Sequence, residues 1–312
     1  MSKNALLLAT YNGEKLIGEL LDSLFAQTFE DFVIYVHDDG STDATVSVVL
    51  DYSRQYPGRI ELVEGPPLKS AKKNFMYLLS QVEADYYFLC DHDDVWLPQK
   101  MQRCYDLIRE KAAQGVPATV FSDMYVVDEK LSIISESFIR YIGRSPYNTE
   151  YSQILIDNPA AGCTMCFNRA LRDIAVRDYG IDWEKIPMHD AYLMELAALF
   201  GSIYAIDEPL NYYRQTGLNV CGAKTESVFV KIKRNLGDIF SGKTIRAKKE
   251  FVNEARFFAA ELLKVEGLDP KKRRVLEELV NISKKPKLAR MSFYKKNNFT
   301  RANHSFWMRL WV

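Results

Sequence analysis

The sequence has little of what would settle its class at once. Its 312 residues carry 41 basic and 41 acidic side chains, so net charge names no polyanionic partner. There is no G-x-x-x-x-G-K-S/T and no G-x-G-x-x-G, which sets aside a P-loop and a dinucleotide-binding fold. The five cysteines (Cys90, Cys104, Cys163, Cys166 and Cys221) are an odd number among apolar neighbours, which suits a reducing compartment. The lone Cys163-x-x-Cys166 pair lies in Ala160 to Phe167, a stretch that reads as a buried strand and not as a zinc or redox loop. The longest largely apolar stretch, Ala191 to Ile206, is broken by Glu195 and is too short to cross a bilayer of about 30 Å as a helix. Met1 to Thr10 lacks the charged, apolar and small-residue order of a signal peptide, so a cytosolic protein is expected.

What is present begins with an uneven distribution of that zero charge. From Cys221 onward there are 22 basic and 9 acidic residues, a net of +13, and the first 220 residues carry the balancing −13. A chain that is 47% hydrophobic can bury roughly three quarters of its unfolded surface, enough for one large domain with an appendage. Short apolar runs at Ala5 to Ala9, Phe32 to Val36, Ile60 to Val63 and Tyr86 to Cys90 read as strands. Between them Leu16, Ile17, Leu20, Leu21, Leu24 and Phe25, then Val46, Val49 and Leu50, then Ala71 to Val82, recur at helical spacing. Ser41 or Thr42 is placed to cap the second helix, and Pro98 to open the fourth toward Glu110.

Strand alternating with helix predicts an α/β fold, a mostly parallel sheet covered on both faces with right-handed crossovers. Thr119 to Phe121, Ala160 to Phe167 and Ser202 to Ile206 read as later strands, with helices at Arg169 to Val176 and Asp190 to Phe200. Ligands of such sheets sit at the C-terminal strand ends. Here those ends read Thr10-Tyr11-Asn12, Asp38-Asp39-Gly40-Ser41 and Asp91-His92-Asp93-Asp94.

Two carboxylates as close as Asp91 and Asp93 at a buried strand end are costly unless a cation neutralises them. Oxygen ligands select a hard ion, Mn²⁺ or Mg²⁺. The plainer alternative is that Asp94 caps the following helix and the other acids are merely solvated. Tyr11 can stack on a nucleobase and Asp39 can accept a ring N–H, so the edge suits a nucleoside diphosphate. Its phosphate charge would be met by metal and by Lys72, Lys73 or Arg214.

Ala9-Thr10-Tyr11-Asn12, Gln27-Thr28-Phe29, Asp38-Asp39-Gly40-Ser41-Thr42-Asp43, Asn74-Phe75 and Asp91-His92-Asp93-Asp94-Val95-Trp96-Leu97-Pro98 resemble, in order, the signature of family 2 glycosyltransferases with the GT-A fold. His189-Asp190-Ala191 resembles that family's catalytic-base segment, and Tyr213-Arg214-Gln215 through Asn219-Val220 its Y-R-Q-H-x-x-N-V element, with Thr216 where the family often has His. The resemblance covers residues 4 to 222. It implies an inverting sugar transfer with Asp190 as base and Asp91 and Asp93 holding the metal. Thr10, Tyr11, Asn12, Asp39, Lys72, Asn74, His92 and Arg214 would then contact the nucleotide. Gly13, His37 and the Ala71 to Phe75 run are similar to bacterial rhamnosyltransferases of cell-wall polysaccharide synthesis. That likeness implies dTDP-L-rhamnose as donor and a lipid-linked saccharide as acceptor.

These readings divide the chain into a catalytic domain over residues 1–222 and a helical basic region over 223–312. In the latter, Lys295, Lys296, Arg301 and Arg309 alternate with Phe293, Tyr294, Phe299, Phe306, Trp307, Leu310 and Trp311, which suits an anionic bilayer at the inner face of the cell membrane. A helix docked on its own domain, or on a second subunit in a homodimer, is the alternative, and both stay open. Nucleic acid is disfavoured because the acidic body would repel its backbone. A UDP-hexose enzyme, a non-catalytic nucleotide-sugar scaffold and a nucleotidyltransferase are the competing functions, the last opposed by the missing glycine-rich loop.

Overall fold

The computed structural model describes residues 4–215 and 243–301, and the side chains of 243–249 are outside the description. In chain order the elements are β1 (Asn4–Thr10), α1 (Ile17–Phe25), β2 (Val33–Asp38), α2 (Thr45–Gln55), β3 (Ile60–Leu62), α3 (Ala71–Gln81), β4 (Tyr86–Asp91), β5 (Val95–Trp96) and α4 (Lys100–Lys111). Then come β6 (Ala118–Val127), β7 (Ile133–Ser135), α5 (Phe138–Tyr141), α6 (Tyr151–Asp157), a 3₁₀ turn at Gly162–Thr164, β8 (Met165–Asn168) and α7 (Arg169–Ala175). A second 3₁₀ turn, Trp183–Lys185, precedes α8 (His189–Phe200) and the long β9 (Ser202–Arg214). Helices α9 (Lys243–Leu262), α10 (Pro270–Val280) and α11 (Lys287–Lys296) follow.

The strands form one sheet in the order β3-β2-β1-β4-β8-β6-β9-β5, with β7 paired to β6. β1, β2, β3 and β4 are parallel neighbours, as are β6 and β9, while β8 runs antiparallel between β4 and β6. Every residue of β1 is buried, because both sheet faces are covered and a period-2 strand must then be apolar throughout. Leu6 and Leu8 point into one core with α1 and α4, whereas Ala5, Leu7 and Ala9 point into the other with α3 and α8. Burial of each such leucine contributes roughly 2 kcal/mol.

Three departures from the sequence reading have physical causes. β6 and β9 run far past Phe121 and Ile206, because register shifts at Ser122, Asp123 and Tyr125 carry the ladder through polar residues that break the apolar pattern. Ala160 to Thr164 is not strand but leads into and forms the 3₁₀ turn, so only Met165–Asn168 pairs. Helix α2 is capped neither by Ser41 nor by Thr42: the Thr45 amide donates to Asp43 Oδ1 (3.0 Å), and the two hydroxyl residues bond Asn12 instead.

The described part of residues 223–312 is not a free appendage. Phe258, Leu262, Leu276, Leu279, Phe293, Tyr294 and Phe299 share one buried cluster with Phe75 of α3 and Tyr192 and Leu196 of α8. Lys272 Nζ donates to the carbonyls of Ala198 (2.9 Å) and Leu199 (2.7 Å), supplying donors to the C-terminal end of α8. Where β6 and β9 begin, Gly201 lies so close to Pro117 that an added methyl group would overlap the Pro117 carbonyl oxygen. That carbonyl also accepts the Ser202 N–H at 3.0 Å, so the backbone cannot retreat without losing the first rung. Gly201→Ala is therefore expected to destabilise by about 3 kcal/mol, as overpacking against fixed backbone does, measured by urea unfolding.

Candidate active site

Thr10 pairs with Asp38 and Ala9 with Asp91 in the parallel ladders, so the ends of β2, β1 and β4 lie level along one edge. Asp38 closes its own strand end, accepting Thr10 Oγ1 (2.8 Å) and the Ser41 amide (2.7 Å). Asn12 sits at φ 47, and Asn accepts this left-handed conformation better than most residues. Its amide donates to Ser41 Oγ and its Oδ1 accepts the Thr42 amide, both at 2.8 Å. Tyr11 between them is 55% exposed, a ring left available for stacking. Buried Asp39 accepts the amides of Leu68, Lys69 (2.7 Å) and Ser70 (2.9 Å), which fixes the approach to α3. A carboxylate has about four acceptor positions, so roughly one remains.

The third strand end gathers the acids. Asp91, Asp94 and Cys163 place ligand atoms within 4.8 Å of one another. Burial, then the charges of Asp93 and Asp190, push the Asp91 carboxyl up to about 7. Burial with the charges of Asp93 and Asp91 also raises Asp94. Asp94 does not cap α4, which starts at Lys100 without a side-chain cap. It turns inward, where Asn211 Nδ2 donates to Oδ2 at 3.1 Å, and its Oδ1 has no partner among the described residues. Under the cluster lies Lys100, wholly buried, its Nζ 3.5 Å from the Trp96 ring centroid and 2.5 Å from the Cys163 carbonyl. Lys100 compensates the inner side of the cluster. On the outer side Asp91 and Asp93 are half-buried, and their carboxylate oxygens are donors of the kind that suits a hard divalent ion, though the ligand atoms that lie closest together are those of Asp91, Asp94 and Cys163.

Asp190 stands in the first turn of α8, whose cap position is Met188. Its Oδ2 accepts the Gly162 amide at 3.1 Å and its Oδ1 the Ala191 amide. Burial lifts its carboxyl to about 6 against those lowering bonds. His189 beside it is buried and stacked on Phe75 (4.2 Å, 23°), and neither ring nitrogen has a hydrogen-bond partner among the described residues. Burial, aided by the Lys72 charge, holds that ring neutral, with its pKa lowered to about 3.

Other expected contacts serve the frame. Lys72 Nζ donates to the carbonyls of Trp183 and Ile186 (2.6 Å), tying α3 to the segment that leads to Asp190. Asn74 Oδ1 lies 2.7 Å from His37 Nδ1, and its Nδ2 donates to the His37 carbonyl, so it braces β2. Arg214 ion-pairs with Glu19 and donates to the Asp93 carbonyl (3.4 Å) and the Glu129 carbonyl. His92 is half-buried against Gly13, where any side chain would strike its ring. Thr216, Asn219, Val220 and Cys221 lie outside the described residues. Cys163 and Cys166 are both free thiols, on the turn and on β8. Lys100, Asn211 and Gly162 are not singled out by the sequence, and of these only Gly162 leaves a signal, a lone glycine inside an apolar run. Cys163, set aside in the sequence as part of a buried strand, instead lies on the turn with its sulfur near Asp91 and Asp94.

With this geometry in hand, residues 6–180 match the family model described as Glycosyl transferase family 2, and the chain belongs to that family. Its relatives include the dTDP-rhamnosyl transferase RfbG of Shigella flexneri, 27% identical over 73% of this chain and 77% of that protein. The backbone is similar to S. aureus TarS 1-349 solved in complex with UDP, with a TM-score of 0.55 at 19% identity over 95% of this chain and 74% of that one. It is also similar to mannosyltransferase PcManGT from Pyrobaculum calidifontis, solved with GDP-Man and Mn2+, with a TM-score of 0.55 at 14% identity over 95% of this chain and 73% of that one. The fold is GT-A, a curled mostly parallel sheet flanked by helices.

The raised carboxyls have a pH consequence. In the metal-free fold Asp91 and Asp190 titrate near 7 and 6, against about 4 in an unfolded chain. Between those limits these two groups bind more protons in the folded state, so their contribution to stability is full below about 4 and is lost as pH rises to about 7. A divalent cation held at Asp91 would compete with its proton, so a thermal shift with Mn²⁺ is expected to grow between pH 5 and pH 7.5. Asp93→Ala should abolish that growth, as checked by calorimetry of the two proteins at both pH values.

Proposed function

We propose that this glycosyltransferase inverts the anomeric centre of its donor, with Asp190 as general base. The observation that carries this is the position of Asp190: half-buried, held by the Gly162 amide, and close enough to Asp91 for its charge to raise that carboxyl. Asp190 takes the proton of an acceptor hydroxyl as the oxygen bonds to the anomeric carbon, and the bond from that carbon to the diphosphate oxygen breaks on the opposite face. With a carboxyl near 6, Asp190 is largely ionised at neutral pH. Asp91 and Asp93 would hold a divalent cation, which would supply positive charge at the departing diphosphate. Tyr11 stacks on the base and the remaining lone pair of Asp39 accepts its ring N–H.

The donor in this reading is dTDP-L-rhamnose, supported by the similarity to the dTDP-rhamnosyl transferase, and the acceptor is a lipid-linked saccharide. Among the described residues no helix is long and apolar enough to cross a membrane. A peripheral position at the inner face is supported instead by the C-terminal surface. No acidic residue occurs from Leu279 to Val312. Lys284, Lys287, Lys295 and Lys296 are exposed, and Leu288 projects with 80% of its surface free. The aromatics Phe293, Tyr294 and Phe299 are buried and take no part, while Phe306, Trp307, Leu310 and Trp311 lie outside the described residues. Deleting the tail would therefore breach the core, and charge reversal is the cleaner test. The triple change Lys287→Glu, Lys295→Glu, Lys296→Glu is expected to lower sedimentation with phosphatidylglycerol vesicles and leave the melting temperature unchanged.

The donor is tested by thermal shift with Mn²⁺ and a panel of nucleotide sugars. At 100 times its dissociation constant dTDP-L-rhamnose should stabilise by about 2.7 kcal/mol. A larger shift with a UDP-hexose transfers the donor assignment to that sugar.

A further inference from the structure

The proposed base is held by a turn that is itself fixed from within the protein. Gly162–Thr164 forms a single 3₁₀ turn between Ala161 and β8, closed by Thr164 N–H to the Ala161 carbonyl (2.9 Å). The turn presents two groups in two directions. The Gly162 amide donates to Asp190 Oδ2 at 3.1 Å, and the Cys163 carbonyl accepts from Lys100 Nζ at 2.5 Å. Lys100 is 1% exposed and belongs to α4, which also packs against β8, the strand that follows the turn. Its ammonium is seated 3.5 Å from the Trp96 ring centroid. An ammonium in such a place is expensive unless it is solvated by dipoles and nearby negative charge. Those are the Cys163 carbonyl and the Asp94 charge beneath the acidic cluster.

Gly162 is fixed for a second reason. A Cβ at this position would come within 2.6 Å of His189 Nε2. The His189 ring stacks on Phe75 at 4.2 Å, so it has little room to move away. The residue next to the base and the turn that holds the base are thus in direct contact, with no side chain between them.

We infer that Lys100 is a positioning residue for sugar transfer: through the Gly162–Thr164 turn it sets the placement of the Asp190 carboxylate. This rests on the reading of Asp190 as general base. The side chain is buried away from solvent with its ammonium on the Cys163 carbonyl, so its loss should leave donor binding intact and slow the chemical step. A misplacement of about 1 Å at a reacting group costs on the order of 100-fold in rate.

The experiment compares Lys100→Met, Gly162→Ala, Asp190→Asn and the double variant Lys100→Met with Asp190→Asn, each checked for cooperative unfolding. Lys100→Met is expected to lower kcat by at least about 10-fold with donor KM within about twofold. Gly162→Ala, which keeps the buried ammonium, should show the same split, so a failure of Lys100→Met to fold does not remove the test. In the Asp190→Asn background Lys100→Met should cost nothing further, because residues acting as a unit are not additive. A purely structural lysine would instead reduce both backgrounds by the same factor, and that result overturns the inference. So does an unchanged kcat in folded Lys100→Met and Gly162→Ala when Asp190→Asn is disabled. An unchanged kcat in Asp190→Asn sinks the base assignment itself.

Discussion

Negative charge crowded at the end of one strand is the constraint that organises this protein. Asp91, Asp93 and Asp94 follow one another at the end of β4, and Asp190 reaches the same space from α8. Burial raises Asp91, Asp94 and Asp190 because the folded interior solvates their charges poorly. The structure answers from three directions. Lys100 approaches from below, backbone amides of Gly162 and Ala191 from the side, and on the outward face, where Asp91 and Asp93 are half-buried, a divalent cation is the proposed third answer. The antiparallel insertion of β8 between β4 and β6 follows from the same need, since it brings the Gly162–Thr164 turn to the acidic strand end.

The polar residues near the edge then fall into two groups. Tyr11 is turned to solvent, and Asp91 and Asp93 are half-buried at the edge. Asp39, Lys72, Asn74 and Arg214 also hold the frame. Asp39 gathers three consecutive amides ahead of α3, and Lys72 fastens α3 to the segment leading into α8. Asn74 braces the penultimate part of β2 through His37. Such bonds cost little reorganisation when substrate arrives, which is what a preorganised site requires.

Much of this was legible in the sequence, and the failures share a cause. β1 and β4 stand out because a strand buried on both faces must be apolar without interruption. β6 and β9 were read short because Ser122, Asp123, Asp207 and Glu208 interrupt them, and bulged ladders tolerate polar residues that simple periodicity does not. β5 and β7, with two and three residues, carry too little pattern to read. The turn at Gly162 looks like strand in the sequence because a buried turn is as apolar as a strand. Lys100, three residues past Trp96-Leu97, looks like any solvated first-turn lysine. Only the folded arrangement shows that its surroundings are Trp96, Cys163 and Asp94.

Arg214 has a consequence for how the molecule is made. It is the final residue of β9, yet its guanidinium joins Glu19 of α1, the Asp93 carbonyl and the Glu129 carbonyl. The residues of β1 to β4 leave the ribosome long before Arg214 does, so these contacts to the acidic loop and to α1 are among the last to become available. The frame around the acidic loop closes only when the end of β9 reaches back to the first helix.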